Sequence, residues 1–143
     1  MTCRELMTPS PTCCQPDHTV VEVAEIMQRE DVGLVPVIDE TTHKLIGVLT
    51  DRDIVLNVVA AGRDARSTAV SEVMTTDPAS CQEHDSIESV MHHMAARQVR
   101  RMPIVDSDGA IVGIVAQADI ATRLSNPRET GEVVQAISEP AMS

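Results

Sequence analysis

Apolar residues follow two patterns along the first part of the chain, one with helical spacing and one that is nearly continuous. Val20, Val23 and Met27 recur at the spacing of one helix face and predict an amphipathic helix. Uninterrupted apolar runs at 34–38 and 45–49 predict two short strands that follow it. Because these runs do not alternate with polar residues, we expect both faces of the strands to be covered.

Polar residues mark where these elements begin. Thr19 with Glu22 has the spacing of a capping box at the start of the first helix. The same order returns later in the chain, with a helical pattern after Asp85-Ser86 and apolar runs at 102–105 and 111–115. Each strand pair is followed by a further predicted helix, over 51–61 and over 117–124.

The two halves of the chain are copies of one unit. Met7-Thr8 matches Met74-Thr75, and the same register continues through Pro36 and Pro103. After one loop that is a residue longer in the first copy, Gly47 matches Gly113 and Asp53 matches Asp119. One change of loop length in an otherwise continuous register indicates a true internal repeat.

This organisation predicts an α/β (α+β) fold of two pseudo-symmetric β-α-β-β-α motifs packed into one module, with a further C-terminal helix. The boundaries that we expect are 1–62 for the first motif, 63–70 for a linker, 71–125 for the second motif and 126–143 for the tail. An apolar stripe in the tail predicts a helix over 128–138 that packs on the module or on a second subunit. About 60 residues bury little core by themselves, so the copies should share one.

Composition limits the partners. The chain has no Phe, Tyr or Trp, so its core must be aliphatic and rich in its eight Met. The net charge is −11, and the only dense basic cluster is Arg97, Arg100 and Arg101. Nucleic acid and anionic membranes are therefore not expected as partners, whereas a small anionic ligand remains compatible.

The termini and cysteines favour a cytoplasmic protein. The N-terminus lacks the apolar run of a signal peptide, and no segment approaches the ~20 apolar residues of a membrane-spanning helix. The four cysteines form no CxxC pair, which favours reduced thiols. Neither these cysteines nor the five His have the spacing of a metal site, so no metal is expected.

The motif that closes each copy resembles a known family. The sequence GVLTDRDI at 47–54 resembles the end of the cystathionine-β-synthase (CBS) motif, as does GIVAQADI at 113–120. The resemblance spans roughly 3–124 and implies a stand-alone tandem CBS pair, or Bateman module. Such modules have two clefts between the motifs, bind adenosine derivatives such as AMP, ADP or ATP, and dimerise.

The resemblance implies a first nucleotide-binding site with several contributors. Thr50 and Asp53 would meet phosphate and ribose at the start of a helix, where free N–H groups favour anions. A capping box between the two residues is the alternative. The remaining expected contributors are Cys14, Val35, Pro36 and Arg52, with Cys14 offering backbone groups to the adenine and the Val-Pro pair forming an apolar clamp. For Cys14, Val35 and Pro36 the alternative is that they are plain core-strand residues.

The second site is expected to differ from the first. Ala116 replaces the hydroxyl residue, yet Asp119 remains, which favours a ligand contact over a cap. Gly33-Leu34 in the first copy corresponds to Arg100-Arg101 in the second, so the second site could prefer a more highly phosphorylated ligand. Solvation of both arginines, or pairing with surface acids, is the alternative. The expected contributors are Ser80, Cys81, Arg100, Arg101, Met102, Pro103, Gln117 and Asp119.

These observations predict a non-catalytic sensor of adenine nucleotides. The nucleotide would be a regulatory ligand, no other cofactor is expected, and a downstream protein partner would read a change in the module or its homodimer. No nucleophile elbow, P-loop or metalloprotease motif is present, so we do not expect an enzyme. Two alternatives stay open: an interaction dimer with degenerate ligand sites, and a thiol-based redox-responsive dimer.

Overall fold

The computed structural model describes residues 1–123, which form two compact units with matching elements. The first-repeat unit consists of residues 11–78 and 108–111. The second-repeat unit consists of residues 1–10, 79–107 and 112–123. Each unit combines helices with one small sheet, which confirms the predicted mixed α/β class.

The sheet of the first-repeat unit is built around an antiparallel hairpin. Its two long strands are β2 (Leu34–Ile38) and β3 (Leu45–Thr50), as the apolar runs predict. The short strand β4 (Thr75–Thr76) pairs with the far side of β3. On the outer side of β2, Cys14 forms a single parallel bridge to Val37.

The main helix of this unit, α2 (Val20–Glu30), begins as the sequence predicts. Thr19 Oγ1 accepts the Glu22 N–H at 3.3 Å, and Glu22 Oε2 accepts the Thr19 N–H at 3.2 Å. This reciprocal pair satisfies two backbone donors that the first helical turn leaves without partners. The helix ends at Glu30, and the C-cap residue Asp31 has a left-handed backbone.

The helix after β3 differs from the prediction of one α-helix over 51–61. It begins as α3 (Asp51–Ile54) and continues as a π-helical segment (Val55–Val59), in which the Ala60 N–H donates to the Val55 carbonyl at 2.9 Å. Three of the five residues in this segment are valines, and β-branched side chains fit an α-helix less well than unbranched ones. A short helix, α4 (Val70–Val73), precedes β4.

The second-repeat unit repeats this arrangement. Its sheet has the order β1-β7-β6-β5, with β1 antiparallel to β7 and β5 parallel to β6. The strands are β1 (Thr8–Pro9), β5 (Cys81–Gln82), β6 (Arg101–Val105) and β7 (Ile111–Ala116). The helices are α1 (Cys3–Leu6), α5 (Ile87–Arg97) and α6 (Gln117–Arg123).

The opening segments of the two repeats are exchanged between the units. Residues 1–10 belong to the second-repeat unit, where the Cys3 N–H donates to the Asp85 carbonyl at 2.9 Å and β1 lies along β7. The start of the second repeat, 74–76, belongs to the first-repeat unit and lies along β3. The compact units therefore differ from the predicted ranges 1–62 and 71–125, which follow the sequence repeat.

The glycine of each closing motif makes room for the exchanged segment. A Cβ on Gly47 would lie 2.9 Å from Met74 Sδ and 2.9 Å from the Thr75 carbonyl oxygen. A Cβ on Gly113 would collide with the side chain of Met7. Close packing of the methionine thus accounts for glycine at both positions.

Each unit has its own aliphatic core, in agreement with the absence of aromatic residues, so the expectation that the two copies share one core is wrong for the described residues. In the first-repeat unit the core comprises Cys14, Val20, Val23, Val35, Val37, Leu49, Val58, Val70 and Val73. In the second-repeat unit it comprises Cys3, Leu6, Cys81, Ile87, Val90, Met91, Met94, Met102, Ile104, Val115 and Ile120.

The predicted linker is an ordered part of the first-repeat unit. Thr68 is buried and its hydroxyl donates to the Asp64 carbonyl at 2.8 Å. The Thr68 carbonyl in turn accepts the Val20 N–H at the start of α2. The predicted helix over 128–138 lies outside the described residues.

Candidate functional site

The two faces of the β2–β3 hairpin have different surroundings. Val35 pairs with Leu49, and both are fully buried in the core. Because side chains alternate along a strand, Leu34 and Pro36 lie on the opposite face, where Leu34 pairs with Thr50. The expected apolar clamp is therefore divided: Pro36 shares a face with Thr50, whereas Val35 belongs to the core.

Thr50 and Asp53 form a capping box at the start of α3. Thr50 Oγ1 accepts the Asp53 N–H at 3.1 Å, and Asp53 Oδ2 accepts the Thr50 N–H at 3.0 Å. The capping alternative is thus present in the structure. The capping box uses only Oδ2 of the Asp53 carboxylate. Within residues 1–123 no donor forms a hydrogen bond to Asp53 Oδ1.

Thr75 also contacts Asp53, although it was not among the predicted site residues. Its hydroxyl donates to Asp53 Oδ2 at a long distance of 3.4 Å. The exchange of opening segments brings Thr75 to this position, and the repeated Met-Thr pair was its only signal in the sequence. The hydrogen bonds to Oδ2 orient the Asp53 carboxylate, and the residue is only half-buried.

The other two expected contributors of the first site have different surroundings. Cys14 is buried, its N–H donates to the Pro36 carbonyl and its carbonyl accepts the Ile38 N–H, each at 2.9 Å. Its N–H is therefore used within the sheet and is not free for an adenine edge. Arg52 is exposed, and its guanidinium forms no ion pair within the described part of the chain.

In the second-repeat unit the strand β6 divides its side chains in the same way. Met102 and Ile104 are fully buried in the core, so Arg101 and Pro103 lie on the opposite face. Pro103 is buried, whereas Arg101 is half-buried. Arg101 thus stands on the face that carries Leu34 in the first repeat.

The start of α6 is less firmly capped than the start of α3. Asp119 Oδ2 accepts the Ala116 N–H at 3.4 Å, which is half of a capping box, and Ala116 offers no hydroxyl in return. Asp119 therefore has a structural contact that the sequence analysis did not anticipate. Beside it, the Gln117 N–H donates to the Arg100 carbonyl at 2.8 Å, so this backbone joins the start of α6 to the start of β6.

Ser80 and Cys81 differ in exposure. Cys81 is buried in β5, where it pairs with Ile104, and its side chain belongs to the core. Ser80 is exposed immediately before the strand. Of this pair, only Ser80 presents its side chain to a ligand in solution.

A pair of matching turns, neither of which was predicted, precedes α2 and α5. The Gln15 N–H donates to His18 Nδ1 at 3.2 Å, and the Gln82 N–H donates to Asp85 Oδ2 at 2.8 Å. The two acceptors occupy equivalent positions of the repeats, which was the available signal. They fix the backbone beside Cys14 and Cys81.

The thiols are protonated at neutral pH. Burial raises the pKa of Cys3 and Cys14 to about 12 and that of Cys13 and Cys81 to about 11. The nearby Cys81 and Asp85 add to the rise of the Cys3 pKa. Because the thiolate is the reactive form, these surroundings disfavour fast thiol chemistry.

Residues 1–123 contain neither a cluster of metal-ligating side chains nor a membrane-spanning helix. Within 1–123 no three His, Cys, Asp or Glu side chains come together as a metal site. The same residues include no helix with the length and apolar character needed to cross a bilayer.

Comparisons with known proteins agree with the repeat. The CBS domain family profile matches residues 3–60 and again 70–126. The CBS domain-containing protein YhcV of Bacillus subtilis is 39% identical over 135 residues, which cover 94% of each chain.

Two solved structures are also similar to this chain. The crystal structure of Hypoxic Response Protein I with two coordinated zinc ions has a TM-score of 0.79 and 34% identity, and covers 87% of this chain and 99% of that one. The curated protein of that name comes from Mycobacterium tuberculosis. The crystal structure of CBSX2 in complex with AMP has a TM-score of 0.73 and 25% identity, and covers 85% of this chain and 93% of that one.

Proposed function

We propose that this chain, which belongs to the CBS-domain family, is a non-catalytic regulatory module that binds an adenine nucleotide. The observation that carries the proposal is the half-buried carboxylate of Asp53, which is held through Oδ2 and keeps Oδ1 open. The ligand acts as a regulatory signal and not as a cofactor of a reaction.

The capping box prepares the carboxylate for a ribose. A ligand contact through Oδ1 leaves the bond from the Thr50 N–H intact, so binding does not dismantle the start of α3. A carboxylate that is already oriented loses little conformational freedom when it accepts ribose hydroxyls. Thr50 and Arg52 lie within the same turn and supply a hydroxyl and a cation for phosphate.

The hairpin residues beside these polar groups are apolar and largely buried. Pro36 lies on the same face of the hairpin as Thr50, and Leu34 on that face pairs directly with Thr50. Aliphatic side chains and backbone can enclose an adenine without an aromatic partner, which this chain does not have. Ligand sites of this kind combine apolar walls with a few fixed polar groups.

The relatives support the regulatory role. CBSX2 is solved in complex with AMP, and YhcV has nearly the length of this chain. We therefore propose AMP or a related adenosyl ligand, with no catalytic activity in this chain. A location in the cytoplasm, a downstream protein partner, and no role for nucleic acid or membranes stay predictions.

A second copy of the chain is the partner that we propose for the π-helical segment. Val55, Leu56 and Val59 are 55%, 48% and 68% exposed within about one helical turn. Two copies that each carry a net charge of −11 repel one another, and the segment Val55–Val59 has no charged residue. A self-complementary apolar contact there suits a two-fold homodimer.

Sedimentation tests this homodimer. We expect the wild-type chain to sediment as a dimer and Leu56→Glu to sediment as a monomer, because the carboxylate would be buried without a partner. Asn57→Glu adds the same charge at the neighbouring exposed position and serves as the matched control. Equal masses for wild type and Leu56→Glu, with unchanged circular dichroism, would exclude this contact.

The redox alternative receives less support than the nucleotide. Raised pKa values keep all four thiols protonated at neutral pH. The interaction-dimer alternative retains the apolar segment but makes no use of the open oxygen on Asp53. A measurement of nucleotide binding therefore distinguishes the interaction dimer from the nucleotide sensor.

Thermal unfolding with a ligand panel tests the nucleotide proposal. Unfolding is followed by circular dichroism in the presence of AMP, ADP, ATP, S-adenosylmethionine or NAD. A ligand at about 100 times its Kd adds about 2.7 kcal/mol to the free energy of unfolding and raises Tm. If none of these ligands raises Tm, the interaction dimer becomes the better account.

A further inference from the structure

We propose that His18 makes the first-repeat unit sensitive to mildly acidic pH. Its neutral imidazole holds the turn at 15–18 closed, and its protonated form releases that turn. The second-repeat unit has Asp85 at the equivalent position and does not respond in the same range of pH. The inference goes beyond nucleotide binding and does not depend on it, because it concerns a contact of the turn that precedes α2.

The contact between Gln15 and His18 requires a neutral ring. The Gln15 N–H donates to His18 Nδ1 at 3.2 Å, and the His18 N–H donates back to the Gln15 carbonyl at 3.1 Å. A ring nitrogen accepts a hydrogen bond through its lone pair, which the imidazolium has on neither nitrogen because both carry a proton. The contact therefore places the proton of the neutral ring on Nε2 and is lost when Nδ1 takes up a proton.

The turn at 15–18 joins three parts of the first-repeat unit. It follows Cys14, whose backbone pairs with β2, and it leads into the capped start of α2. Two of its carbonyls accept N–H groups from α4: that of Pro16 from Ser71 at 3.0 Å, and that of His18 from Val70 at 2.8 Å. Loss of the side-chain contact should therefore loosen both the start of α2 and its link to α4.

The charged groups near this turn are engaged elsewhere or exposed. The titratable groups on the turn and on the segments that contact it are Asp17, Glu22, Arg63, Asp64, Arg66 and Glu72, in addition to the protonated thiols of Cys13 and Cys14. Glu22 and Glu72 accept backbone N–H groups at the starts of α2 and α4. Asp17 is exposed to solvent. Within residues 1–123 no carboxylate forms an ion pair with the His18 ring, so its protonation is not compensated.

Protonation of His18 weakens the folded state. It breaks a hydrogen bond that only the folded chain has, so the free energy of unfolding falls as the pH falls. Histidine side chains ordinarily take up a proton between about pH 8 and about pH 5, which sets the range of the effect.

The second-repeat unit has the same turn with a different acceptor. The Gln82 N–H donates to Asp85 Oδ2 at 2.8 Å. The Asp85 carbonyl also accepts a backbone N–H, that of Cys3, at 2.9 Å. A carboxylate ordinarily keeps its charge, and with it the capacity to accept this bond, down to about pH 4. Only the first-repeat unit should therefore weaken between about pH 8 and about pH 5.

Hydrogen exchange of the full chain tests the inference in each unit separately. Exchange is measured by mass spectrometry at about pH 7.5 and about pH 5.5 and is corrected for the intrinsic rate at each pH. We expect the fraction of open molecules at 15–23 to rise about fivefold at the lower pH, because one hydrogen bond typically contributes about that much. At 82–90 it should change by less than about twofold. An equal rise in both units, or no rise at 15–23, would overturn the inference.

Variants that exchange the two acceptors then identify the cause. His18→Asp gives the first turn the acceptor of the second and should remove the rise at 15–23. Asp85→His should introduce a rise at 82–90, which tests the same contact in the other unit. His92→Gln removes an exposed histidine of α5 and should leave the wild-type pattern unchanged. Circular dichroism confirms that each variant is folded. A rise at 15–23 that persists in His18→Asp would assign the effect to another group and overturn the inference.

The ring of His18 gives a measurement that needs no variant. NMR spectra of the isotope-labelled chain at about pH 7.5 should show the neutral ring with its proton on Nε2. A proton on Nδ1 would overturn the inference, because that nitrogen could then not accept the Gln15 N–H. Nucleotide is absent from all of these measurements, so the inference can fail while the proposed function stands, and the reverse.

Discussion

The side chain of Met7 occupies the space in which a Cβ on Gly113 would lie. Met7, in the opening segment of the first repeat, thus leaves no room for a side chain at position 113 of β7, in the second repeat. The equivalent pair, Met74 and Gly47, repeats this relationship in the first-repeat unit. The glycine of each closing motif therefore makes room for the methionine of the exchanged segment that packs against it.

Gly113→Ala is expected to destabilise the protein by about 1–3 kcal/mol, because the added methyl group overpacks the contact with Met7. Met7→Ala alone should also destabilise it, by about 1–2 kcal/mol, because Met7 is partly buried and leaves a smaller loss of packing than a fully buried methionine. The double variant should be more stable than the sum of the two costs predicts, since each change relieves the other. Urea denaturation followed by circular dichroism measures the coupling; additive costs would contradict the contact.

Leu6→Ala tests the exchange of opening segments. Leu6 lies in the core of the second-repeat unit, so its loss should cost about 2–5 kcal/mol and lower the hydrogen-exchange protection of α5. The matched control is Val73→Ala, the equivalent position in the second repeat, which should lower the protection of α2 instead. Loss of protection in α2 after Leu6→Ala, with α5 unaffected, would contradict the exchange.

The two helix starts should respond in opposite directions to substitution. Thr50→Ala removes the hydroxyl that accepts the Asp53 N–H and should cost about 1 kcal/mol. Ala116→Thr supplies the missing hydroxyl beside Asp119 and should stabilise the protein by about 0.5–1 kcal/mol. Chemical denaturation measures both; a destabilising Ala116→Thr would show that α6 cannot form the reciprocal pair.

The cysteines predict a loss of stability at alkaline pH. Their folded-state pKa values of about 11 to 12 lie above the ordinary value of 9.0, so the unfolded chain releases these protons first. The stabilising contribution is complete below pH 9 and is lost as the pH rises toward 12. Cys14→Ser should reduce the slope of unfolding free energy against pH in this window.

Thiol labelling gives an independent measurement of the same property. At pH 8 the native chain should react slowly with a disulfide reagent and the urea-unfolded chain quickly, because three folded thiols are buried, Cys13 is half-buried and all four are protonated. Fast labelling of any cysteine in the native state would revive the redox alternative.

The helices and strands could be predicted well because hydrophobic spacing and capping residues are local signals. The Thr19–Glu22 box, the helices α2 and α5, and both strand pairs follow from spacing alone. The exchange of residues 1–10 could not be predicted in this way, since it depends on packing between residues far apart in sequence. The continuous apolar run of β7 was also misleading, because Val112 and Ile114 are half-buried and alternate with buried residues.

The candidate site was predictable in its residue types but not in its geometry. Repetition of Asp53 and Asp119 indicated a function, yet both carboxylates also accept backbone hydrogen bonds. Alternation along β2 and β6 then separated Pro36 and Pro103 from the core residues that precede them. Sequence comparison alone does not tell which face of a fully apolar strand meets the core.

The central claim is that Asp53 belongs to a nucleotide site, and calorimetric titration of the full chain with AMP tests it most directly. The account predicts saturable binding that Asp53→Ala weakens by at least about tenfold, because charge-assisted hydrogen bonds are lost. Asp17→Ala, which removes an exposed carboxylate elsewhere in the same unit, should bind as the wild-type chain does. Absence of binding by the wild type, or equal affinity in wild type and Asp53→Ala, would contradict the account.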